Sequence, residues 1–409
     1  MAGETGARAA PGAVVLEGVA VAGRPGFHDV RIDGGRIAGI APSAARDGGV
    51  VTPLLADIHV HLDKTHTIGR IGFERGARIE GLFDAIAMMD EDRRRWNAAD
   101  IRARAERALR QAYANGVGVM RTHVDWVPPE VPEAWPVMVE LRQEWSRRID
   151  LQLAALVPGD LIPEAGEGIA GRVARDGGVL GAFFYRNAAL AEKVEAVFGH
   201  ARAFDLDLDF HVDEGLDEEA DGFSLIVEAT ARQGWARRVL CGHACSLSIR
   251  SGETLKRSLD AAAEAGVALV ALPTTNLYLQ DRRRGRAPCR RGIAPLAEAR
   301  AAGMTVMLAS DNVADAFYPY GDYDPLSVLR LAVPACHLEP VDWLEAIAGT
   351  PARWVAGGQG PSLAAGEAAN FIWHDAADLG DLIARPRAGR VVYRDGSPLS
   401  AEAEHRRNA

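Results

Sequence analysis

The chain has 409 residues, 48% of them hydrophobic and 25% charged, enough to bury the core of one large barrel with a smaller companion domain. Its formal net charge of -10 argues against a nucleic-acid partner, which needs a basic face. No stretch approaches the roughly 20 apolar residues needed to cross a bilayer, so no membrane partner is expected.

The first dozen residues, MAGETGARAAPG, lack the apolar run of a signal peptide. The four cysteines (Cys241, Cys245, Cys289, Cys336) form no CxxC pair, so neither a zinc ribbon nor a disulfide framework is suggested. These features predict a cytoplasmic protein with reduced thiols.

VVLEGVAVA (14–22) reads as a strand, and HDVRIDGGRIAGIAPS (28–43) as two strands around a Gly-Gly turn. ANFIWHDA (369–376) and GRVVYRDG (389–396) repeat that style at the other end. The expectation is a small β-sandwich domain built from both chain ends, residues 1–52 and 357–409. Residues 53–356 then form the larger domain.

That middle region alternates short apolar runs with longer amphipathic segments. The runs fall at 54–62, 117–125, 151–157, 179–185, 206–214, 237–244, 267–273 and 304–312. Among the segments between them, 100–116 and 252–266 carry apolar residues at helical spacing and end on Gly116 and Gly266. Eight buried-type strands alternating with helices predict an α/β fold, a (β/α)8 TIM-type barrel, with an open doubly wound sheet as the alternative. The first gap is too long for one crossover helix, and residues 65–99 are assigned to an inserted loop and helix near the site.

In such a barrel the C-terminal strand ends form the active-site face. His59 and His61 lie near the end of the first run, and alternate strand residues point the same way. His211 closes the fifth run, His243 the sixth and Asp311 the eighth. A lone HxH occurs often by chance, and buried histidines are commonly just hydrogen-bonded core residues. Five such residues at one depth on four strands point instead to a metal-dependent site.

The motifs HVHLDKT (59–65), RTHVD (121–125), HVDE (211–214), GH (242–243), NLYLQDR (276–282), RRGI (290–293) and SDNVADAFYPYG (310–321) run in order along the barrel. Together they resemble the amidohydrolase superfamily, and within it the cytosine deaminase-like branch. The resemblance implies His59, His61, His211 and Asp311 as ligands of one divalent metal ion, Zn or Fe. It implies Glu214 as proton shuttle, His243 as electrophilic helper and Asp311 as acceptor of the proton from water. Relatives with two ions bridge them with a modified lysine on strand four. The run VLGAFFY has none, so one ion is expected.

Substrate contacts are expected from Lys64, Pro158, Asn276, Gln280 and Asn312. A rim lysine in solvent is the competing reading of Lys64. His123 and Asp125 are candidates to orient a ligand, with simple packing as the alternative. The loop from Asp315 to Pro325, rich in aromatics, can close over a flat ring or form a subunit contact, which leaves room for a homo-oligomer.

Cytosine deaminases are expected to present a glutamine after strand three and an acidic residue after the metal aspartate. This chain has ALVPGD and Asn312 there. Asparagine donates as well as accepts, so the hydrogen-bond code for the ring has changed. The leading expectation is a hydrolytic deaminase of an amino-substituted nitrogen heterocycle other than plain cytosine, with water as co-substrate. A hydrolase of N-alkylamino triazines or cyclic amides is the second reading. A non-catalytic metal-binding barrel is the third, and it leaves Glu214 without a role. Zinc deaminases of the PCxxC type are excluded, since that motif does not occur.

Overall fold

The computed structural model describes residues 13–71, 79–283, 285–357 and 362–399. They fall into two compact units, Met1–Leu54 with Gln359–Ala409, and Leu55–Gly358.

The chain opens with β1 (Val14–Val21), β2 (Phe27–Asp33), β3 (Arg36–Pro42) and β4 (Val50–Pro53). β2 and β3 pair antiparallel with Asp33 opposite Arg36, leaving Gly34 and Gly35 as a two-residue turn. Both glycines have positive φ, 56° and 78°, as that turn requires of its central residues.

Eight parallel strands follow in sequence order: β5 (Leu55–Val60), β6 (Val117–Asp125), β7 (Asp150–Pro158), β8 (Val179–Phe184), β9 (Leu208–Val212), β10 (Val239–His243), β11 (Ala268–Ala271) and β12 (Val306–Leu308). Seven form within one of the predicted apolar runs, and β7 overruns its run (151–157) by one residue at each end. Every residue of β5, β9, β10, β11 and β12 is buried, as expected of parallel strands covered on both faces. The ring is brought near closure where Val60 bridges Asp311 in parallel sense. The result is the predicted (β/α)8 barrel.

The helix Ala98–Ala114 buries Ile101, Ala105, Ala108, Leu109 and Ala112 on one face. Burying Ile101 and Leu109 contributes about 1.5–3 kcal/mol each. Asn97 caps the helix by accepting from the Asp100 amide at 3.0 Å. The helix Gly252–Ala265 stops at Gly266, whose φ of 73° closes its last turn.

Between β5 and this crossover lie a turn of helix, Ile68–Ile71, and the helix Leu82–Arg93. Residues 72–78 of the expected insertion lie outside the described residues. The inserted helix packs Leu82, Ala85 and Met89 against Ile79, Leu279 and Ala316. Leu279 and Ala316 follow β11 and β12, so the helix lies over the C-terminal strand ends.

After the barrel come β13 (Phe371–His374), β14 (Arg390–Arg394) and β15 (Ser397–Pro398). They join the first four strands in one sheet of order β15-β14-β13-β4-β1-β2-β3. All its pairings are antiparallel except β1 with β4. The sheet curls until Arg36 bridges Ala368, enclosing Val19, Val21, Val30, Ile32, Ile37, Val51, Ala369 and Phe371.

Candidate active site and metal centre

His59 and His61 project from the end of β5, and both are buried. His211 comes from β9, and Asp311 follows β12. His59 Nε2 lies 3.0 Å from His211 Nε2, which lies 3.2 Å from His61 Nε2. Asp311 Oδ1 lies 3.2 Å from His61 Nε2 and 3.7 Å from His59 Nε2. The sequence thus predicted four side chains that the fold brings together at one point.

Burial, reinforced by mutual crowding and nearby positive charge, holds the imidazoles of His59, His61 and His211 well below their ordinary pKa. They are therefore neutral at physiological pH, the form that binds a metal. Imidazole nitrogens bind Zn²⁺ at about 2.0–2.1 Å, which sets tetrahedral neighbours about 3.3 Å apart. The spacings of 3.0–3.7 Å match that requirement. Among the described residues, neither oxygen of Asp311 has a hydrogen-bond partner of good geometry, another mark of a donor set built for a cation. Gly242 completes the cradle: a Cβ there would stand 2.7 Å from His59 Cε1.

Beside this cluster lie Glu214 and His243, both buried. His243 Nδ1 is 3.0 Å from Asn276 Nδ2 and 3.4 Å from Glu214 Oε1. Burial, with the Asp311 carboxylate nearby, pushes the Glu214 carboxyl well above its usual range. Burial pulls His243 down to about 4, leaving a neutral imidazole. His243 and Asp311 leave their strands with φ of 66° and 61°, left-handed conformations of the kind concentrated at functional sites.

A cavity of about 270 Å³ opens onto these groups, lined by His61, His211, Glu214, His243 and Asp311. Lys64, Asp90, Arg93, Asp125 and Asn312 supply further polar lining. Leu82, Ile86, Met89, Val127, Leu156, Pro158, Phe183 and Phe317 make the rest apolar, as small-molecule sites usually are.

Of the predicted substrate contacts, Lys64, Pro158 and Asn312 line the cavity. Lys64 is buried, not a rim residue in solvent. Its Nζ donates to Asp125 Oδ1 at 2.7 Å and lies 5.0 Å from the Phe317 ring centroid. Arg93 donates to the other oxygen of Asp125 at 2.8 Å. Burial opposes the charge on Lys64, but Asp125 and Asp63 outweigh it and raise the pKa. Asn312 donates to Asp315 Oδ2 at 2.7 Å. Asn276 and Gln280 do not line the cavity: Asn276 meets His243, and Gln280 Nε2 donates to the Glu214 carbonyl at 3.4 Å.

His123, expected to orient a ligand or simply to pack, stands against three ligand rings. Its centroid is 4.1 Å from that of His59, 4.7 Å from His211 and 5.5 Å from His61. Sequence reasoning missed Asp57, whose Oδ1 accepts from the Ser310 amide at 2.9 Å, and Arg121 and Asp209, which pair at 2.6 Å. They lie two residues before His59, His123 and His211 on the same strands, and alternation alone could have marked them as inward-facing.

A model of the amidohydrolase family matches residues 167–399, more than half of the chain. The chain belongs to the amidohydrolase family. Within it, a pterin deaminase from Rhizobium rhizogenes is 38% identical over 379 residues, covering 91% of this chain and 85% of that one. The structure of a 5-methylcytosine deaminase from Klebsiella pneumoniae, liganded with phosphonocytosine, superposes with a TM-score of 0.83 at 25% identity, covering 95% and 98% of the two chains. An N-isopropylammelide isopropylaminohydrolase from Burkholderia multivorans follows at 0.76 and 24% identity, covering 94% and 97%, and shares the fold of this amidohydrolase.

Proposed function

We propose that the chain is a metal-dependent hydrolytic deaminase of an amino-substituted nitrogen heterocycle of the pterin class, working in the cytoplasm. The observation that carries this reading is that Glu214 and His243 line the same cavity as His61, His211 and Asp311. The similarity to a pterin deaminase over 91% of the chain favours a bicyclic ring. Pro158 and Asn312, where the cytosine pattern has glutamine and an acid, favour a ring other than cytosine.

His59, His61, His211 and Asp311 would hold one Zn²⁺ or Fe²⁺. β8, reading VLGAFF, offers no lysine to bridge a second. A divalent ion so held would lower the pKa of water towards about 7 and so supply a nucleophile at neutral pH. Asp311, its carboxyl pushed upward by burial, takes up a proton from the attacking water. Glu214, its carboxyl raised by burial and by the nearby Asp311 carboxylate, delivers a proton to the departing amine. Neutral His243 hydrogen-bonds the oxygen that becomes attached to the ring carbon. The carbon–nitrogen bond breaks, ammonia leaves and the ring keeps the water oxygen.

The test is product release from Zn²⁺- or Fe²⁺-loaded protein offered pterin, cytosine, guanine and N-isopropylammelide. Ammonia should appear fastest from pterin, judged by kcat/KM. Isopropylamine from the ammelide, with no ammonia from the other rings, would replace this reading with the N-alkylamino triazine one.

A further inference from the structure

Beneath the ligand cluster runs a buried polar chain that the chemistry above does not use. Asp209 on β9 is fully buried, and its Oδ2 accepts from Arg121 Nη1 at 2.6 Å. Its Oδ1 faces His123 Nε2 across 3.2 Å, a close charge contact outside hydrogen-bond geometry. Arg121 on β6 is only 1% exposed and donates its Nε to Gln152 Oε1 at 2.7 Å. Taking such charges out of water is expensive, and a buried ion pair is weak as a stabilising device compared with apolar packing.

Metal-binding histidines are ordinarily oriented through a hydrogen bond from the second ring nitrogen. Among the described residues, Nδ1 of His59, His61 and His211 is buried with no such partner. What the described residues offer to orient them is contact. Gly242 backs His59, and the His123 ring packs against both His59 and His211.

We propose that Arg121, Asp209 and His123 form a positioning chain for the metal ligands. The guanidinium fixes the carboxylate, the carboxylate fixes the His123 ring, and that ring holds the imidazoles of His59 and His211 at binding distance. This inference rests on the reading of His59, His61, His211 and Asp311 as ligands.

The experiment is a Zn²⁺ titration of metal-stripped full-length protein against a chromophoric chelator, with urea unfolding of each metal-free variant. His123→Ala leaves the Arg121–Asp209 pair intact. The double variant Arg121→Met, Asp209→Leu replaces both charges by apolar side chains, a change that tends to spare folding where breaking half a pair does not. Both should unfold cooperatively and bind Zn²⁺ about 10–100-fold more weakly, the usual effect of losing a group that orients a ligand. A purely structural role predicts altered urea midpoints with wild-type affinity. Wild-type affinity in folded His123→Ala overturns the inference, whatever the double variant does. Failure of the wild-type protein to bind Zn²⁺ would instead sink the ligand assignment.

Discussion

The main-chain amide of Asp311 donates to the carbonyl of His59 across 2.8 Å. The seam where the last barrel strand meets the first is therefore made at two candidate ligands. Asp311→Asn keeps that backbone bond but replaces a carboxylate oxygen by an amide. We expect the variant to fold, to bind Zn²⁺ at least about 10-fold more weakly, and to lose nearly all turnover. Equilibrium titration and kcat, measured together, check this.

Glu214 is buried beside the cluster but is not one of the four proposed ligands. Glu214→Gln should leave metal content unchanged while lowering kcat by about 10²–10⁴, the usual contribution of a positioned acid or base. Unchanged turnover would support a non-catalytic barrel.

Gly242 leaves no room for a side chain. Gly242→Ala puts a methyl 2.7 Å from His59 Cε1, and 3.3 Å from the Phe210 carbonyl, inside a packed strand. His59 must move. The expected outcome is a folded protein whose Zn²⁺ affinity falls about 10-fold or more by comparison with other orienting defects, read by chelator competition.

Lys64 and Arg93 share the part-buried carboxylate of Asp125. Burial alone would raise that carboxyl, yet the two cations hold it well below the usual range. Lys64→Met leaves Asp125 with one partner, and breaking a buried pair costs about 3–5 kcal/mol. Because Arg93 remains, the lower end is expected, visible as a reduced urea midpoint at neutral pH.

His66 is pulled down to about 4 by burial and by Arg107. Its unfolded value is 6.5, so between those limits the unfolded chain binds more protons than the folded one. Stability from this group is complete above pH 6.5 and is lost as pH falls towards 4. His66→Gln should flatten the stability profile of the metal-free protein across that window, measured by urea unfolding at stepped pH.

Much of this was legible from residue order. The eight apolar runs became β5 to β12 because a strand covered on both faces is apolar at most of its positions. The ligands stood out because His and Asp interrupt those runs at one depth. Asp57, Arg121 and Asp209 did not stand out, since a single charged residue inside an apolar run reads equally as a hydrogen-bonded structural group. Arg93 and Asp90 reach the cavity from an inserted helix whose placement over the barrel is set by contacts distant in sequence, such as Leu279 and Ala316. Asn276 and Gln280 were expected at the ring. The helix Pro273–Leu279 turns Asn276 towards His243, and Gln280, just past its end, meets the Glu214 carbonyl; spacing alone does not encode that rotation.

The sheet shared by the two chain ends has a consequence for biosynthesis. β4 lies between β1 and β13, and all four of its residues are buried. Until the ribosome has delivered the stretch around Phe371, β4 has a bare edge with Val50 and Val51 uncovered, the kind of strand that recruits other nascent chains. Premature termination upstream of that point should therefore yield aggregates even when every barrel strand has been synthesised.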